Sequence, residues 1–225
     1  MAKTEKLLVI GDGAFAEVAY EYFTEDSKYE VVGFAVESEF RTKDYLFDLP
    51  VVHLDEASSR FPPKDHSAFV AITYNDLNRL RARLVEAVRE LNYPLASFIS
   101  SNAQVSKSVQ ISEHCFIFEN NVVQPQAAIK DNVIIWSGNH IGHHSTIEKN
   151  CFISSHAVIS GFCHIGENSF LGVNSTIANN IKVADDNWIG PGVVITQDTQ
   201  AGELYSLPKA SPAKVSSLRF FRVKE

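Results

Sequence analysis

The chain has 225 residues, with 27 acidic residues against 20 lysines and arginines, and its net charge is −7. A nucleic acid or an anionic membrane as the main partner would require a basic surface, so this charge argues against both. No apolar stretch is long enough to cross a bilayer and the N-terminal residues lack a signal-peptide core, so a cytoplasmic protein is expected. The three cysteines are expected to be small buried residues rather than disulfide or metal ligands.

Residues 1–98 predict a small α/β domain. Strands and helices alternate along it, with strands at 7–10, 31–36 and 67–72 and helices at 14–23 and 75–92. Such alternation predicts a parallel sheet, and the segment is too short for a complete dinucleotide-binding fold, so a reduced, Rossmann-like domain is expected. In the second helix, Asn75 is the expected N-cap, and the arginines, among them Arg81, are expected on the solvent-facing side.

A glycine turn follows the first predicted strand. Gly11, Asp12 and Gly13 precede the first helix, and the second strand ends at Glu37. Glycines in such a turn let the backbone approach a phosphate, and the N-terminus of the next helix favours an anion. Since the third glycine of the dinucleotide fingerprint is replaced by Ala16, a tight turn that binds no ligand explains the motif almost as well.

The strongest pattern in the chain is an aliphatic residue at every sixth position from 105 to 195, without interruption. A period of six fits neither a helix nor a flat strand, and it is typical of the hexapeptide repeat of a parallel β-helix. Three hexads close one triangular coil, so residues 18 positions apart stack at the usual strand spacing of ~4.8 Å. The span predicts about five coils in residues 99–200, with no inserted loop.

The period fails after residue 195, and residues 201–225 are expected to cap the open end of the prism, because an uncovered β-helix end exposes a strand edge. The tail is locally basic, and Lys214 within it is a candidate contact for an anionic cofactor. A solvated tail is the alternative interpretation.

Five histidines are concentrated in the middle coils: His140, His143, His144, His156 and His164. At a stacking distance of 18, Gly161 lies directly above His143. An imidazole there would have a backbone N–H within reach with no side chain between them, which suits a general base beside an oxyanion donor. For His140, His144 and His164 a structural role is favoured, and a metal site is disfavoured because no carboxylate or thiolate joins the histidines at ligand spacing.

The chain resembles the left-handed β-helix N-acyltransferases that act on nucleotide-linked amino sugars, a group with bacillosamine- and perosamine-type acetyltransferases and sialic-acid O-acetyltransferases. The resemblance covers nearly the whole chain. It is carried by the hexad array and by three segments: GDGAFA at 11–16, IGHH at 141–144 and IGENSFLGVNS at 165–175. It implies a left-handed parallel β-helix behind the α/β domain, a homotrimer, and acetyl-CoA bound between adjacent subunits.

The resemblance also assigns roles to residues. His143 corresponds to the family's base, and the amide of Gly161 to the contact of the thioester carbonyl. The predicted activity is transfer of an acetyl group from acetyl-CoA to the 4-amino group of a dTDP- or UDP-linked amino-dideoxysugar used for surface polysaccharide. Further predicted contacts are, for the nucleotide sugar, Gly11, Asp12, Gly13, Glu37, Asn139 and His156, and, for the cofactor, Asn174 and Lys214.

Two other functions fit the same sequence. A sugar O-acetyltransferase would use the same base on a hydroxyl group. A non-enzymatic trimeric scaffold, or a metal-dependent relative of the hexapeptide-repeat carbonic anhydrases, would use the histidines differently, and it would leave the N-terminal domain unexplained. The family's base is usually followed by an acidic residue that orients the imidazole, and here that position is His144.

Overall fold

The computed structural model describes residues 2–223, so the first residue of the expected N-terminal domain and the last two of the expected tail, 224 and 225, lie outside the described residues. The N-terminal domain has five strands, β1 Glu5–Ile10, β2 Tyr29–Val36, β3 Tyr45–Leu46, β4 Leu49–His53 and β5 His66–Val70. Its helices are α1 Ala14–Glu25, α2 Ala57–Arg60 and α3 Arg79–Glu90, with a short 3-10 turn at Leu54–Glu56. The sheet order is β3-β4-β2-β1-β5, parallel except for the edge strand β3.

The helix α3 differs from the expectation in two ways. It begins at Arg79 instead of residue 75, because Asp76, Leu77 and Asn78 have positive φ angles of 51°, 49° and 67°. The predicted cap at Asn75 is therefore wrong. The expectation that Arg81 faces solvent is also wrong, since its side chain is fully buried against the second half of the chain.

The second half is a prism of two-residue strands separated by tight turns. Its strands are β6 Phe98–Ile99, β7 Gln104–Val105, β8 Gln110–Ile111, β9 Phe116–Ile117, β10 Val122–Val123, β11 Ala128–Ile129, β12 Ile134–Ile135, β13 His140–Ile141, β14 Thr146–Ile147, β15 Phe152–Ile153, β16 Val158–Ile159, β17 His164–Ile165, β18 Phe170–Leu171, β19 Thr176–Ile177, β20 Lys182–Val183, β21 Trp188–Ile189, β22 Val194–Ile195 and β23 Leu204–Tyr205. The aliphatic residue of each hexad points inward and forms a continuous buried core.

Three parallel sheets form the sides of the prism. Face 1 contains β6, β9, β12, β15, β18, β21 and β23; face 2 contains β7, β10, β13, β16, β19 and β22; face 3 contains β8, β11, β14, β17 and β20. Neighbouring strands on a face pair residues 18 positions apart, for example His140 with Val158, so the predicted coil length is confirmed.

The prism is longer than the hexad count indicated. It begins at Phe98 and ends with β23, which pairs Ile189 with Tyr205. These partners are 16 positions apart rather than 18. The last coil is thus two residues short, which is why the six-residue count did not find it.

From residue 114 to residue 192, each corner of the prism contains a residue with a left-handed backbone. His144, His156 and Phe162 occupy such positions, with φ angles of 58°, 59° and 58°, and asparagine is the commonest residue at the others. Asparagine tolerates this conformation better than most residues do. Two of the five clustered histidines therefore also serve as turn residues.

The N-terminal domain is docked on face 1. The outward side chains of that face include Phe116, Phe152 and Phe170, and they share one buried cluster with Phe15 of α1 and Phe69 of β5. Rings in this cluster contact each other edge-on or stacked, as between Phe15 and Phe116 at 5.6 Å. The domain and the prism therefore share a hydrophobic core.

Arg81 is the polar centre of the same junction. Its guanidinium donates to the Asn132 Oδ1 at 3.0 Å, the Asn150 carbonyl at 2.8 Å and the Asn78 Oδ1 at 3.1 Å. These acceptors are all neutral, and burial lowers the pKa of Arg81 to about 9. His114 lies beside it, accepting from the Val70 N–H and bonding to Asn132, and burial lowers the pKa of His114 to about 3.

Beyond β23 the chain runs over the surface and ends in a short helix, α4 Ser217–Phe220, with all of residues 206–223 exposed. Among the helices of residues 2–223, none combines the length and apolar character needed to span a membrane.

Candidate active site

The glycine turn lines a cleft of about 330 Å3 at the carboxyl ends of β1, β2 and β5. Gly11 has a φ of 116°, and a Cβ there would lie 3.1 Å from the Ala71 carbonyl oxygen, so this position requires glycine. At Gly13 a Cβ would meet nothing within 4 Å, and its carbonyl accepts from the first turn of α1. The turn therefore leaves open space at a helix N-terminus, where an anion is favoured.

The polar side chains that line this cleft are those of Asp12, Glu37 and Asn75. Asp12 has one carboxylate oxygen that is buried and has no hydrogen-bond partner within residues 2–223. Glu37 bonds Arg83 through both oxygens, at 2.7 and 2.9 Å, and this pairing holds the pKa of the Glu37 carboxyl below its usual value. The remaining lining is largely aliphatic, so the cleft suits a planar, partly apolar group with a sugar and a phosphate at its edge.

His143 lies on the corner between faces 2 and 3, on the surface. Its ring rests on the α-carbon of Gly161, where a Cβ would be 2.9 Å from both Cε1 and Nε2 of the imidazole. The vertical stacking expected from the 18-residue spacing is present. Any side chain larger than glycine at 161 would displace the ring.

Two rings hold the imidazole of His143 in place. Its Nδ1 lies 3.1 Å from Nδ1 of His144. The ring of Phe162 stacks on His144 at 4.8 Å and meets His143 edge-to-face at 4.9 Å. The backbone N–H of His143 donates to the Gln124 side-chain oxygen at 3.0 Å.

The backbone N–H of Gly161 is not free, contrary to the expectation that no side chain would stand in the way. It donates to Oδ1 of Asn179 at 2.9 Å, and Asn179 stands one coil above it on the same corner. The sequence contains the signal that would have revealed this acceptor, because Asn179 follows Gly161 by the stacking distance of 18. The column above His143 therefore contains Gly161 and, one coil beyond it, Asn179.

Two other predicted contact residues, His156 and Asn174, lie on a different corner from His143. His156 and Asn174 lie on the corner between faces 1 and 2, where the His156 ring covers the α-carbon of Gly138. Phe15, two residues beyond the glycine turn, packs 6.0 Å from Trp136 at the start of that corner. His156, Asn174 and the cleft are thus on one side of the prism, away from His143.

Asn139 is placed where a substrate does not reach. It is 1% exposed, accepts from the Ala157 N–H at 2.7 Å, and donates to the Trp136 carbonyl. Its backbone N–H in turn donates to Asn121 at 2.9 Å, so the two asparagines form an internal ladder. The predicted substrate contact is corrected to a structural role. Lys214 lies in the exposed tail, apart from either group of candidate residues.

The structure does not bring the cleft and His143 together within one chain. The N-terminal domain covers face 1, and the corner between faces 2 and 3 is the one opposite that face. A reaction that needs both requires a second copy of the chain.

The cysteines are buried among the hydrophobic residues of the prism. Burial raises the pKa of the Cys115 and Cys151 thiols to about 12, which keeps them protonated and poorly nucleophilic. Within residues 2–223, no three histidine, cysteine, aspartate or glutamate side chains are grouped as metal ligands would be.

Comparison with known proteins gives matches to the prism and to most of the chain. The family model described as bacterial transferase hexapeptide (six repeats) matches residues 126–161, and that described as hexapeptide repeat of succinyl-transferase matches residues 164–197. A search of curated proteins finds no match.

Solved structures match over most of the chain. The acetyltransferase domain of PglB from Neisseria gonorrhoeae is 26% identical with a TM-score of 0.80, covering 89% of this chain and 96% of that one. PerB from Caulobacter crescentus, solved with CoA and GDP-perosamine, is 26% identical with a TM-score of 0.78, covering 88% and 92%. WeeI from Acinetobacter baumannii, at 16% identity and a TM-score of 0.56, shares the fold over 87% of this chain and 96% of that one.

The buried six-residue repeat, the α/β domain docked on one face and these matches agree with one another. Together they indicate an acyltransferase with hexapeptide repeats in residues 126–161 and 164–197, similar over nearly its whole length to sugar N-acetyltransferases.

Proposed function

We propose that the protein transfers an acetyl group from acetyl-CoA to the amine of a nucleotide-linked amino-dideoxysugar. The observation that carries this proposal is the exposed imidazole of His143 resting on Gly161, on a fold shared with such enzymes. The acetyltransferase domain of PglB has been solved with acetyl coenzyme A, and PerB with CoA and GDP-perosamine. The 4-amino group of a dTDP- or UDP-linked sugar for surface polysaccharide is the substrate we favour.

The cleft at the glycine turn is the proposed nucleotide site, in a reduced Rossmann-like domain. A phosphate would lie at Gly13, where the N-terminus of α1 is open. Glu37 directly follows the second strand, the position at which an acidic residue bonds ribose hydroxyls in dinucleotide-binding folds. Its carboxylate is ionised and held by Arg83, so it is oriented before a ligand arrives.

His143 is the proposed general base. As the sugar nitrogen attacks the thioester carbon, Nε2 of His143 takes the proton that the amine loses. A C–N bond forms, the carbonyl oxygen becomes an oxyanion, and the tetrahedral intermediate then breaks its C–S bond. The departing sulfur takes the proton from the imidazolium, so the products are the amide and CoA with its thiol protonated.

The Gly161 N–H is the proposed oxyanion donor, and the structure adds a condition. Since that N–H is bonded to Asn179 in the free protein, the thioester oxygen must replace the Asn179 oxygen as its acceptor. Exchanging one acceptor for another costs little while the oxygen is neutral and becomes favourable as charge develops on it. The contact would therefore strengthen in the transition state, which is where it accelerates the reaction.

The active unit is proposed to be a homotrimer built on left-handed prisms. The cleft, His156 and Asn174 belong to one side of each chain, and His143 belongs to the opposite corner. Placing the 2–3 corner of one copy against the 1–2 corner of the next would join the two halves. Acetyl-CoA would then lie along the seam between two copies.

The proposal is tested by thiol release from acetyl-CoA with dTDP-, UDP- and GDP-linked 3- and 4-amino sugars, and with hydroxy sugars alongside. Turnover on one amino sugar is expected, and His143→Ala should remove most of it while acetyl-CoA still binds. Lys149→Ala is the matched control, since Lys149 holds the equivalent exposed position on the corner between faces 3 and 1. Turnover on a hydroxy sugar alone, or a protein that binds no acetyl-CoA, would contradict the proposal.

A further inference from the structure

We propose that His144 is a positioning residue that fixes the tautomer and the ring orientation of His143. The inference rests on the proposed function of His143 as the base. It comes from the contact between the Nδ1 atoms of the two rings, which are 3.1 Å apart.

That distance defines the protonation of the pair. A neutral imidazole has one N–H donor and one acceptor nitrogen, so an Nδ1···Nδ1 hydrogen bond contains one hydrogen. At 3.1 Å the two nitrogens are within hydrogen-bond range, and two hydrogens would not fit between them. One ring must therefore hold its hydrogen on Nδ1, and the other must hold it on Nε2.

The position of Gly161 indicates which ring is which. The edge of His143 that rests on Gly161 is the one with Cε1 and Nε2, and Nδ1 is the more distant atom, 3.3 Å from where a Cβ of residue 161 would lie. For Nε2 to accept a proton beside the Gly161 N–H, the hydrogen of His143 must be on Nδ1. His144 then accepts with its own Nδ1 and keeps its hydrogen on Nε2.

The backbone and Phe162 hold His144 in this role. The left-handed backbone at His144 is fixed by its N–H, which donates to the Pro125 carbonyl at 3.2 Å. Its ring is stacked on Phe162 with an angle of 18° between the planes. Within residues 2–223, neither His143 nor His144 has an ion-pair partner, so the acceptor role is not supplied by a carboxylate of the same chain.

The same contact supports the chemistry after proton transfer. Once Nε2 of His143 has taken a proton, the ring is a cation and the Nδ1–H···Nδ1 bond becomes charge-assisted. His144 stabilises that cation as a neutral acceptor, without the full negative charge of a carboxylate. Loss of this acceptor is expected to lower kcat and to leave the KM for acetyl-CoA largely unchanged.

Three variants test the inference. His144→Phe removes the acceptor and keeps an aromatic ring against Phe162, and Phe162 itself shows that phenylalanine fits the left-handed corner. His144→Asn restores an acceptor oxygen in the residue type most common at these corners. Lys149→Ala is the control, because Lys149 is an exposed residue on the corner between faces 3 and 1, which the proposed seam does not use.

His144→Phe is expected to lower kcat about 10-fold or more, the usual effect of losing a hydrogen bond to a charged group. His144→Asn should recover most of this loss, and Lys149→Ala should match the wild type in kcat and Tm. A purely structural role for His144 would affect both His144 variants through Tm and would not separate them in kcat. Wild-type kcat in His144→Phe would overturn the proposal.

Nitrogen-15 NMR of histidine-labelled protein tests the tautomer without any substrate. The wild type is expected to show His143 with its hydrogen on Nδ1, assigned by loss of the signal in His143→Ala, and His144→Phe should shift it toward Nε2. A wild-type His143 with its hydrogen on Nε2 would refute the inference even if the enzyme is an acetyltransferase. The expected tautomer in a protein inactive on every amino sugar would refute the proposed function instead.

Discussion

The substitution Gly161→Ala should disable the enzyme through a single methyl group. Gly161 does not have a left-handed backbone, so alanine can adopt its conformation. The added Cβ would lie 2.9 Å from Cε1 and Nε2 of His143 and 3.3 Å from Nδ1. Ordinary contacts of a Cβ begin at 3.4 Å, so the His143 ring must move away by at least about half an ångström.

The size of the effect follows from that displacement. A misplacement of about 1 Å at a reacting group can reduce the rate about 100-fold, so kcat should fall roughly 10- to 100-fold. The free energy of unfolding should change little, because His143 is on the surface and can move. Alanine also lowers the conformational entropy of the unfolded chain, which stabilises the folded protein by about 0.4–1 kcal/mol. Gly142→Ala should instead destabilise the fold. Its Cβ would lie 2.4 to 2.6 Å from backbone atoms of Ser160 and Gly161, which cannot move aside as a surface side chain can.

The assay is thiol release under saturating acetyl-CoA, with Tm and CoA binding measured on the same preparations. Gly161→Ala should lose kcat while keeping its Tm within a few degrees, whereas Gly142→Ala should lose Tm. Lys149→Ala again serves as the control at an equivalent corner. A Gly161→Ala enzyme with wild-type kcat would show that the contact between His143 and Gly161 has no part in the reaction.

Three further results are expected. Asn179→Ala should raise kcat/KM about 2- to 10-fold by removing the acceptor that competes for the Gly161 N–H, and a decrease would show that the carboxamide itself assists the reaction. The pKa of His114 in the folded protein, about 3, lies below the ordinary 6.5, so its contribution to stability is complete above pH 6.5 and is lost as the pH falls toward 3. In urea denaturation the free energy of unfolding should therefore fall by up to about 1.4 kcal/mol per pH unit, and His114→Gln should flatten this fall. An unchanged slope in the variant would contradict the assignment. Arg81→Met should lower the free energy of unfolding by roughly 3–5 kcal/mol because the acceptors around it lose their donor, and a change below about 1 kcal/mol in the same denaturation would refute this.

The prism was predictable because its defining interactions repeat at a fixed sequence interval. Ile141, Ile159 and Ile177 contact each other at steps of 18, and each is fully buried. A pattern set by local turns and vertical neighbours does not depend on how distant segments meet. The last coil was not predictable in this way, since the step from Ile189 to Tyr205 breaks the interval.

The burial of Arg81 was not predictable from the helix containing it. A helical pattern shows which residues share a face, and it placed the arginines on the side away from the leucines. The prism supplies the Asn132 and Asn150 groups that bond the guanidinium, and these lie 51 and 69 positions along the chain. Nothing in the local sequence indicates that a polar helix face will meet such acceptors.

The contacts of the candidate site were predictable from the sequence where they follow the 18-residue repeat. The contact between His143 and Gly161 follows from one step of 18, and Asn179 follows from the next. Asn139 was assigned to the substrate, whereas its backbone N–H donates to Asn121 and its side chain bonds the backbone of Ala157 and Trp136 inside the prism. Hydrogen-bond partners within the core cannot be distinguished from ligand contacts by composition alone.

The aromatic surface of face 1 has a consequence for the engineering of chimeric enzymes. Phe98, Phe116, Phe152, Phe170 and Trp188 occupy one column of outward positions, and the N-terminal domain covers them. A prism expressed without that domain would present this column to water and is expected to aggregate. Exchanging nucleotide specificity between relatives by swapping the first hundred residues would therefore require the column to be transplanted with them.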